Sequence, residues 1–184
     1  MPKILTNVRE DILRISRAIL ETEGYNAFSM REVSSRCGIA LGTIYNYYRT
    51  KDEIISEIIL SDWDLANKRM ETVIASGASE IDKLEEIFHS LKDFVHDFHS
   101  LWLEMAMNRK NACNMESRVN RQNDYRILIK DKIKSATPSI VRNYKGDHEF
   151  LYDMLSRCFI SYCQDREFDF KNFRALFREL LGLS

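Results

Sequence analysis

The hydrophobic positions of this chain recur at intervals of three and four residues, which is the spacing of amphipathic helices. Near the N-terminus, Ile12, Ile15 and Ile19 fall on one helical face. Thr6 precedes them as a plausible N-cap, and Gly24 follows where a glycine commonly ends a helix. The pattern therefore predicts a first helix over about residues 6–23.

Two short helices are predicted next. Ser29 and Glu32 have the spacing of a capping box, and they begin a helix that stops at Gly38. A third helix is predicted from about Ala40 to Tyr48. Two short helices joined by a glycine-containing turn match the helix-turn-helix motif.

The rest of the chain is predicted to form longer helices. A second capping box, Thr50 with Glu53, begins the first of them. The polar stretch 108–123 holds few core candidates, and 135–147, with Pro138 and Gly146, is predicted to be a loop. The predicted helices cover about 50–75, 80–98 with helical character continuing to 108, 125–133, 147–164 and 168–181.

Composition supports an all-α fold and excludes several classes of protein. The 184 residues include only 6 glycines and 2 prolines, too few for a turn-rich β architecture. Hydrophobic residues at 45% argue against disorder, and no apolar run approaches the ~20 residues of a membrane-spanning helix. The four cysteines lack C-x-x-C spacing, and no secretory leader is recognisable. We therefore expect a cytoplasmic protein with free thiols.

Charge is distributed unevenly along the chain. Residues 1–52 carry 8 basic and 6 acidic side chains, although the whole chain has a formal net charge of −1. The N-terminal end is therefore the part suited to a polyanion.

The outward face of the third predicted helix suits nucleic acid. Ile44 and Tyr48 are four residues apart and should pack inward. The opposite side carries hydroxyl and amide groups, which bind phosphate oxygens and base edges, and a glycine, which permits close approach. The outward residues are Gly42, Thr43, Asn46 and Tyr47, with Leu41 and Tyr45 on the flanks.

Three segments, GYNAFSMREV (24–33), CGIALGTIYNYY (37–48) and TKDE (50–53), strongly resemble the TetR family of bacterial transcriptional regulators. The resemblance implies a three-helix DNA-binding head (1–48) and a helical effector-binding and dimerisation body (49–184). It implies a repressor that binds a palindromic operator as a homodimer and is released by a small-molecule effector. No enzymatic step is expected.

The resemblance also implies which side chains contact DNA. Arg31 matches a base-contacting position, and Ser29 matches a phosphate-facing cap. Leu41, Gly42 and Tyr45 match positions facing the major groove, whereas phosphate contacts are matched by Thr43, Tyr47 and Lys51. The chain departs from the family at Leu41, where a polar residue is usual, and at Ala40, where a serine cap is usual. The predicted DNA-binding set is Ser29, Arg31, Leu41, Gly42, Thr43, Tyr45, Asn46, Tyr47 and Lys51.

An effector pocket is expected among the large apolar residues of the body. Glu104 lies within this set and has two interpretations: a counter-charge for a cationic effector, or the exposed position of an amphipathic helix, which is the commoner case. The predicted pocket residues are Trp63, Phe88, Phe94, Phe98, Trp102, Glu104, Met105 and Tyr125.

The last two helices carry wide apolar stripes that exceed what one core requires. A surplus of this kind usually marks an interface, and pairing both helices with a second copy would make a four-helix bundle. The predicted interface residues are Leu151, Leu155, Phe159, Phe173, Phe177 and Leu180.

One helical face also carries His89, His96 and His99, with Lys92 among them. Their spacing permits metal ligation, but a solvated face is the commoner explanation, and we predict no metal and no cofactor. Two alternatives remain open: a helical metal-dependent protein that uses this face, and a helical ligand-binding protein without specific DNA readout.

Overall fold

The computed structural model describes residues 7–108 and 115–181, with side chains described for 7–96, 125–140 and 142–179. Regular structure in these ranges is entirely helical, as predicted. The helices are α1 (Val8–Ala27), α2 (Met30–Cys37), α3 (Leu41–Tyr47), α4 (Lys51–Ala75), α5 (Glu80–Asn108), α6 (Met115–Ala136), α7 (Pro138–Asn143), α8 (His148–Tyr162) and α9 (Lys171–Leu181).

The chain divides into two compact units. The first unit holds the chain up to Asp64 and the C-terminal end of α5, and the second holds Leu65–Asp97 and the chain from α6 onward. The division falls inside α4, so the part of that helix up to Asp64 belongs to the first unit. The sequence had placed the boundary after residue 48, before this helix begins.

Helix α1 begins and ends close to the predicted positions. Asn7 occupies the N-cap position, and Thr6, the predicted cap, lies outside the described residues. Gly24 has a φ of 77° and a non-helical ψ of 178°, so it breaks the helix before a final turn that ends at Ala27. The predicted helix end therefore coincides with the backbone break.

The two ends of α2 are fixed by the residues that the sequence identified. Ser29 Oγ accepts a hydrogen bond from the backbone N–H of Glu32 at 3.1 Å. The Glu32 carboxylate, however, binds Arg36 Nε at 2.6 Å, so the side chain expected to complete the capping box pairs within α2 instead. Gly38 adopts the left-handed conformation, with a φ of 67°, and its N–H donates to the carbonyls of Ser34 and Ser35.

Ion pairs join α1 to α4 within the first unit. The guanidinium of Arg17 donates to both carboxylate oxygens of Asp62, at 2.6 and 2.5 Å. Nearer the start of both helices, Arg9 of α1 pairs with Glu57 of α4 at 2.8 Å. These bonds lie beside an apolar core formed by Ile12, Ile19, Leu20, Phe28, Met30, Val33, Ile44, Tyr48, Ile54, Ile55 and Ile58.

The core of the second unit is an aromatic cluster. The Phe88 ring on α5 lies 5.4 Å from that of Phe159 on α8, and 5.7 and 5.9 Å from those of Phe170 and Phe173. The α9 guanidinium of Arg174 binds carboxylates on α5 at the edge of this cluster. Helix α9 is therefore packed into the chain's own core.

Two helical segments differ from the sequence prediction. Helix α6 begins at Met115, ten residues before the predicted start, because its first part is polar and has no apolar period to detect. Helix α7 lies in the predicted loop 135–147, with Pro138 in its first turn. Glu80 stabilises the start of α7 by accepting hydrogen bonds from the N–H and hydroxyl of Ser139.

Three cysteines lie among the described residues, and all three are free, as the sequence predicted. Burial raises the pKa of the Cys163 thiol to about 12 and also raises that of Cys37. Both thiols therefore stay protonated near neutral pH and are poor nucleophiles. Cys113 lies outside the described residues. No helix in the described part of the chain is long and apolar enough to cross a membrane.

The contrast between Gly38 and Gly42 gives a matched stability prediction. A Cβ at either position would meet no atom within 4 Å, so only the backbone conformation distinguishes them. We expect Gly38→Ala to lower the free energy of unfolding by about 1–2 kcal/mol, because it places a side chain in left-handed backbone. Gly42→Ala should raise it by about 0.5–1 kcal/mol through helix propensity. Urea denaturation followed by circular dichroism measures both, and equal effects would contradict the argument.

Candidate nucleic-acid interface

Helix α3 has one buried side and one exposed side. Ile44 is fully buried and Tyr48 is 3% exposed, which confirms the prediction that this pair packs inward. On the other side, Tyr45 and Tyr47 are 50% and 47% exposed, and Asn46 is also exposed. Large aromatic rings held half in solvent give this face both apolar area and hydroxyl groups for a partner.

The first turn of α3 is open to close approach. Ala40 occupies the N-cap position without a side-chain hydrogen bond, and its carbonyl accepts from Thr43 N–H at 2.8 Å. Gly42 is exposed, and among the described residues no atom lies within 4 Å of the place where its Cβ would stand. The absence of a side chain at this position therefore serves no packing need of the chain and leaves room for another molecule.

The start of α2 supplies a further cation in the first unit. Arg31 is exposed, and among the described residues its guanidinium has no hydrogen-bond or ion-pair partner. The hydroxyl of Ser29 is engaged by the Glu32 N–H, as described above. Ser29 therefore shapes the helix start in this structure, and Arg31 is the group available to bind.

Lys51, the first residue of α4, is held in a defined place. Its Nζ lies 3.9 Å from the centre of the Tyr25 ring and 3.4 Å from the carbonyl oxygen of Phe28. The Tyr25 hydroxyl in turn donates to Asp52 Oδ1 at 3.3 Å. Lys51 is half-buried, and these contacts hold its ammonium in one place.

Arg49 is an exposed cation that the sequence analysis did not identify. It follows the C-cap of α3, and its backbone N–H donates to the Glu53 carboxylate at 2.8 Å. Across the part of the chain that the structure describes, its guanidinium has no partner. No motif specifies an arginine at this position. The only sequence feature that could have indicated Arg49 as a candidate contact is its place between two predicted helices.

All nine predicted DNA-binding residues lie in the first unit, on α2 and its N-cap, on α3 and in the first turn of α4. Together with Arg49, they present hydroxyls, an amide, apolar rings and three cations. Such a mixture can bind phosphate oxygens and reach base edges.

The predicted pocket residues are distributed over both units of the chain. The rings of Phe94 and Tyr125 are 6.4 Å apart in the second unit, and Trp63 is buried in the first. Phe88 belongs instead to the aromatic cluster with Phe159. The side chains of Phe98, Trp102, Glu104 and Met105 lie outside the described residues, so the pocket stays a prediction.

The predicted dimer residues need correction in their role. Leu151, Leu155, Phe159, Phe173 and Phe177 are all buried within the single chain, and the side chain of Leu180 lies outside the described residues. The same two helices expose a different apolar set: Phe150, Met154, Tyr162 and Leu176. The surplus of apolar residues is therefore real, but the sequence assigned core side chains to it.

The histidine face does not form a site in the described region. His89 is exposed, with its ring 6.2 Å from Phe88, and His96 is half-buried. Lys92 donates to the carbonyls of Arg166 and Phe168, at 3.0 and 2.6 Å, and so anchors the segment before α9. Among the described residues no three His, Cys, Asp or Glu side chains are grouped to hold a metal ion, and His99 lies outside them.

The head resembles known regulators in sequence. The family model described as bacterial regulatory proteins, tetR family, matches residues 12–58. The transcriptional repressor KstR2 of Mycobacterium tuberculosis is 22% identical over 92 residues, half of this chain and 46% of that protein. The Escherichia coli regulator UidR is 32% identical over 83 residues, 45% of this chain and 42% of its own. The matching region thus spans about half the length of these curated relatives.

The likeness in fold extends over almost the whole chain. A TetR/AcrR-family transcriptional regulator from Thermobifida fusca has a TM-score of 0.65 at 16% identity. The match covers 96% of this chain and 98% of the other. At this identity the similarity concerns architecture: both chains place the same succession of helices in space.

Proposed function

We propose that this chain is a transcriptional repressor of the TetR family that binds an operator in double-stranded DNA. The observation that carries the proposal is the outer face of α3. This face exposes two tyrosines and an asparagine, while Ile44 and Tyr48 on the other side of the helix are buried. The repressor role is supported by the similarity to KstR2, which is a transcriptional repressor.

In the proposed complex, α3 enters the major groove with its exposed face toward the bases. Gly42 lets the first turn approach the DNA closely, and Leu41 is suited to the methyl group of a thymine. Arg31 has the geometry to donate two hydrogen bonds to a guanine. Hydroxyls and cations at Thr43, Tyr47 and Lys51 would bind phosphates and fix the register of the helix on the duplex.

A homodimer with a palindromic operator completes the proposal. One α3 covers only a few base pairs, and a two-fold dimer would place two copies one helical turn apart. The exposed apolar residues of α8 and α9 supply a surface for such a contact. A small-molecule effector that binds one arrangement of the body more tightly would then shift the population away from the DNA-bound spacing.

Selection from a random or genomic-fragment duplex library tests DNA readout directly. We expect the purified chain to enrich a palindromic sequence, because two symmetry-related α3 helices would read its two halves. The control is Gly42→Trp, whose bulky side chain blocks close approach of α3 to the groove. If the chain is instead a helical ligand-binding protein without DNA readout, the wild type should enrich no sequence over this control.

Substitution of single contacts should separate phosphate binding from base readout. We expect Lys51→Ala and Tyr47→Phe to weaken operator and non-specific duplexes together, since phosphate contacts carry little sequence information. Lys51→Ala should also reduce the salt slope of the binding constant by about 1. Arg31→Ala should erode discrimination at one base pair of each half-site by about 1–3 kcal/mol. The measurements are titrations of matched and mismatched duplexes at several salt concentrations.

An unchanged salt slope in Lys51→Ala would show that Lys51 does not contact a phosphate. The matched control is Lys68→Ala, an exposed lysine further along α4 and outside the predicted set, which should leave the affinity and the slope as they are.

The exposed and buried residues of α9 give a matched test of the dimer. We expect the wild type to sediment as a dimer at micromolar concentration and Leu176→Glu to be a folded monomer, because Leu176 is 42% exposed. Phe177→Glu should instead unfold the chain, since it buries a charge in the aromatic cluster. A monomeric wild type, or a Leu176→Glu variant that remains dimeric, would contradict the assignment.

A further inference from the structure

The contacts of Lys51 differ from those of an ordinary surface lysine. A lysine side chain has four rotatable bonds, and an exposed one samples many positions. Here the ammonium rests on the face of the Tyr25 ring and against the Phe28 carbonyl, at 3.9 and 3.4 Å. The attraction between a cation and an aromatic face favours this one position over the others.

The Tyr25 ring is itself fixed. Tyr25 follows the backbone break at Gly24 and is buried, and its hydroxyl donates to Asp52 at 3.3 Å. Asp52 is the neighbour of Lys51 on α4. The Tyr25 side chain therefore contacts two consecutive residues of the first turn of α4, Asp52 through its hydroxyl and Lys51 through its ring face. The ring therefore acts as a rigid support between the end of α1 and the start of α4.

We propose that Tyr25 is a positioning residue for DNA binding, which holds the Lys51 ammonium in place for a DNA phosphate. This inference rests on the proposed function and names a residue outside the predicted contact set. An ammonium has three N–H donors. The ring face and the Phe28 carbonyl account for two directions, which leaves one donor to offer to a phosphate oxygen.

Preorganisation is the physical gain. A free lysine must lose side-chain freedom when it binds a phosphate, and this loss reduces the affinity. A lysine already held by a ring has lost that freedom on folding. Since the contact with the ring uses the face of the π-system, it also leaves the positive charge intact for the phosphate.

A double-mutant cycle between Tyr25 and Lys51 tests the proposal. The dissociation constants of wild type, Tyr25→Leu, Lys51→Ala and the double variant are measured on the duplex enriched by the selection and on a scrambled duplex of equal length. We expect Tyr25→Leu to weaken binding to both duplexes by about three- to tenfold when Lys51 is present. In the Lys51→Ala background it should have no further effect. Tyr25→Phe keeps the cation–π contact and loses the bond to Asp52, so its affinity should fall between those of the wild type and Tyr25→Leu.

The outcomes separate positioning from a role in folding. An equal loss in both backgrounds would show that Tyr25 acts through the stability of the head and would overturn the proposal. Tighter binding by Tyr25→Leu would also overturn it, because Lys51 would then be withheld from DNA by the ring. If the wild type binds but the two effects are additive, this inference fails and the proposed function stands. If the wild type enriches no sequence, both fail.

A spectroscopic measurement covers the case in which Tyr25→Leu does not fold. Methylene protons above an aromatic ring are shifted upfield, and the ε-methylene signal of Lys51 can be assigned by its loss in Lys51→Arg. We expect this upfield shift in the free protein, its persistence in the DNA complex and its retention in Tyr25→Phe. A shift that disappears when DNA binds would mean that the lysine leaves the ring to reach the phosphate, and would overturn the proposal.

Discussion

The burial of two side chains beneath α3 is the constraint on which the candidate interface depends. A helix of seven residues is too short to be stable alone, and this one begins at Ala40 without a side-chain cap. Ile44 and Tyr48 are the buried residues that hold it in place, and the Tyr48 hydroxyl donates to Glu57 on α4 at 3.0 Å and accepts from Arg9 Nε on α1 at 3.4 Å. Burial raises the pKa of Tyr48, so this hydroxyl keeps its proton and the bond persists over the ordinary pH range.

The charges of the head are arranged around the same anchor. The arginines on α1 that lie against α4 have carboxylate partners, as Arg9 and Arg17 have with Glu57 and Asp62. Arg31 on α2 and Arg49 just after α3 have none among the described residues. Paired charges contribute little to an external potential, whereas the unpaired ones add to it directly. These two arginines are therefore the ones that can attract an anionic partner.

Local signals in the sequence predicted most of the head, because its elements begin and end at residues with specific roles. Ser29 and Gly38 act through bonds to neighbours within a few positions, and the spacing of Ile44 and Tyr48 shows which side is buried. The contact between Tyr25 and Lys51 was not predictable, since it joins residues far apart in sequence. Phe177 was misassigned because periodicity identifies an apolar stripe without showing whether a chain's own helices or a second copy will cover it.

In α3 the residues that anchor the helix and the residues of its outer face are different ones. Tyr45, Asn46 and Tyr47 are exposed, so their replacement removes little packing and should leave the free energy of unfolding nearly unaltered. Replacement of Ile44 would leave a cavity in the core of the first unit, at a cost of about 2–5 kcal/mol for alanine. The proposed DNA contacts at these three positions are therefore free to vary without changing the packing of the head, while the anchors hold the helix that presents them. Ser29 and Gly42 differ from them, because the first caps α2 and the second lowers the helix propensity of α3.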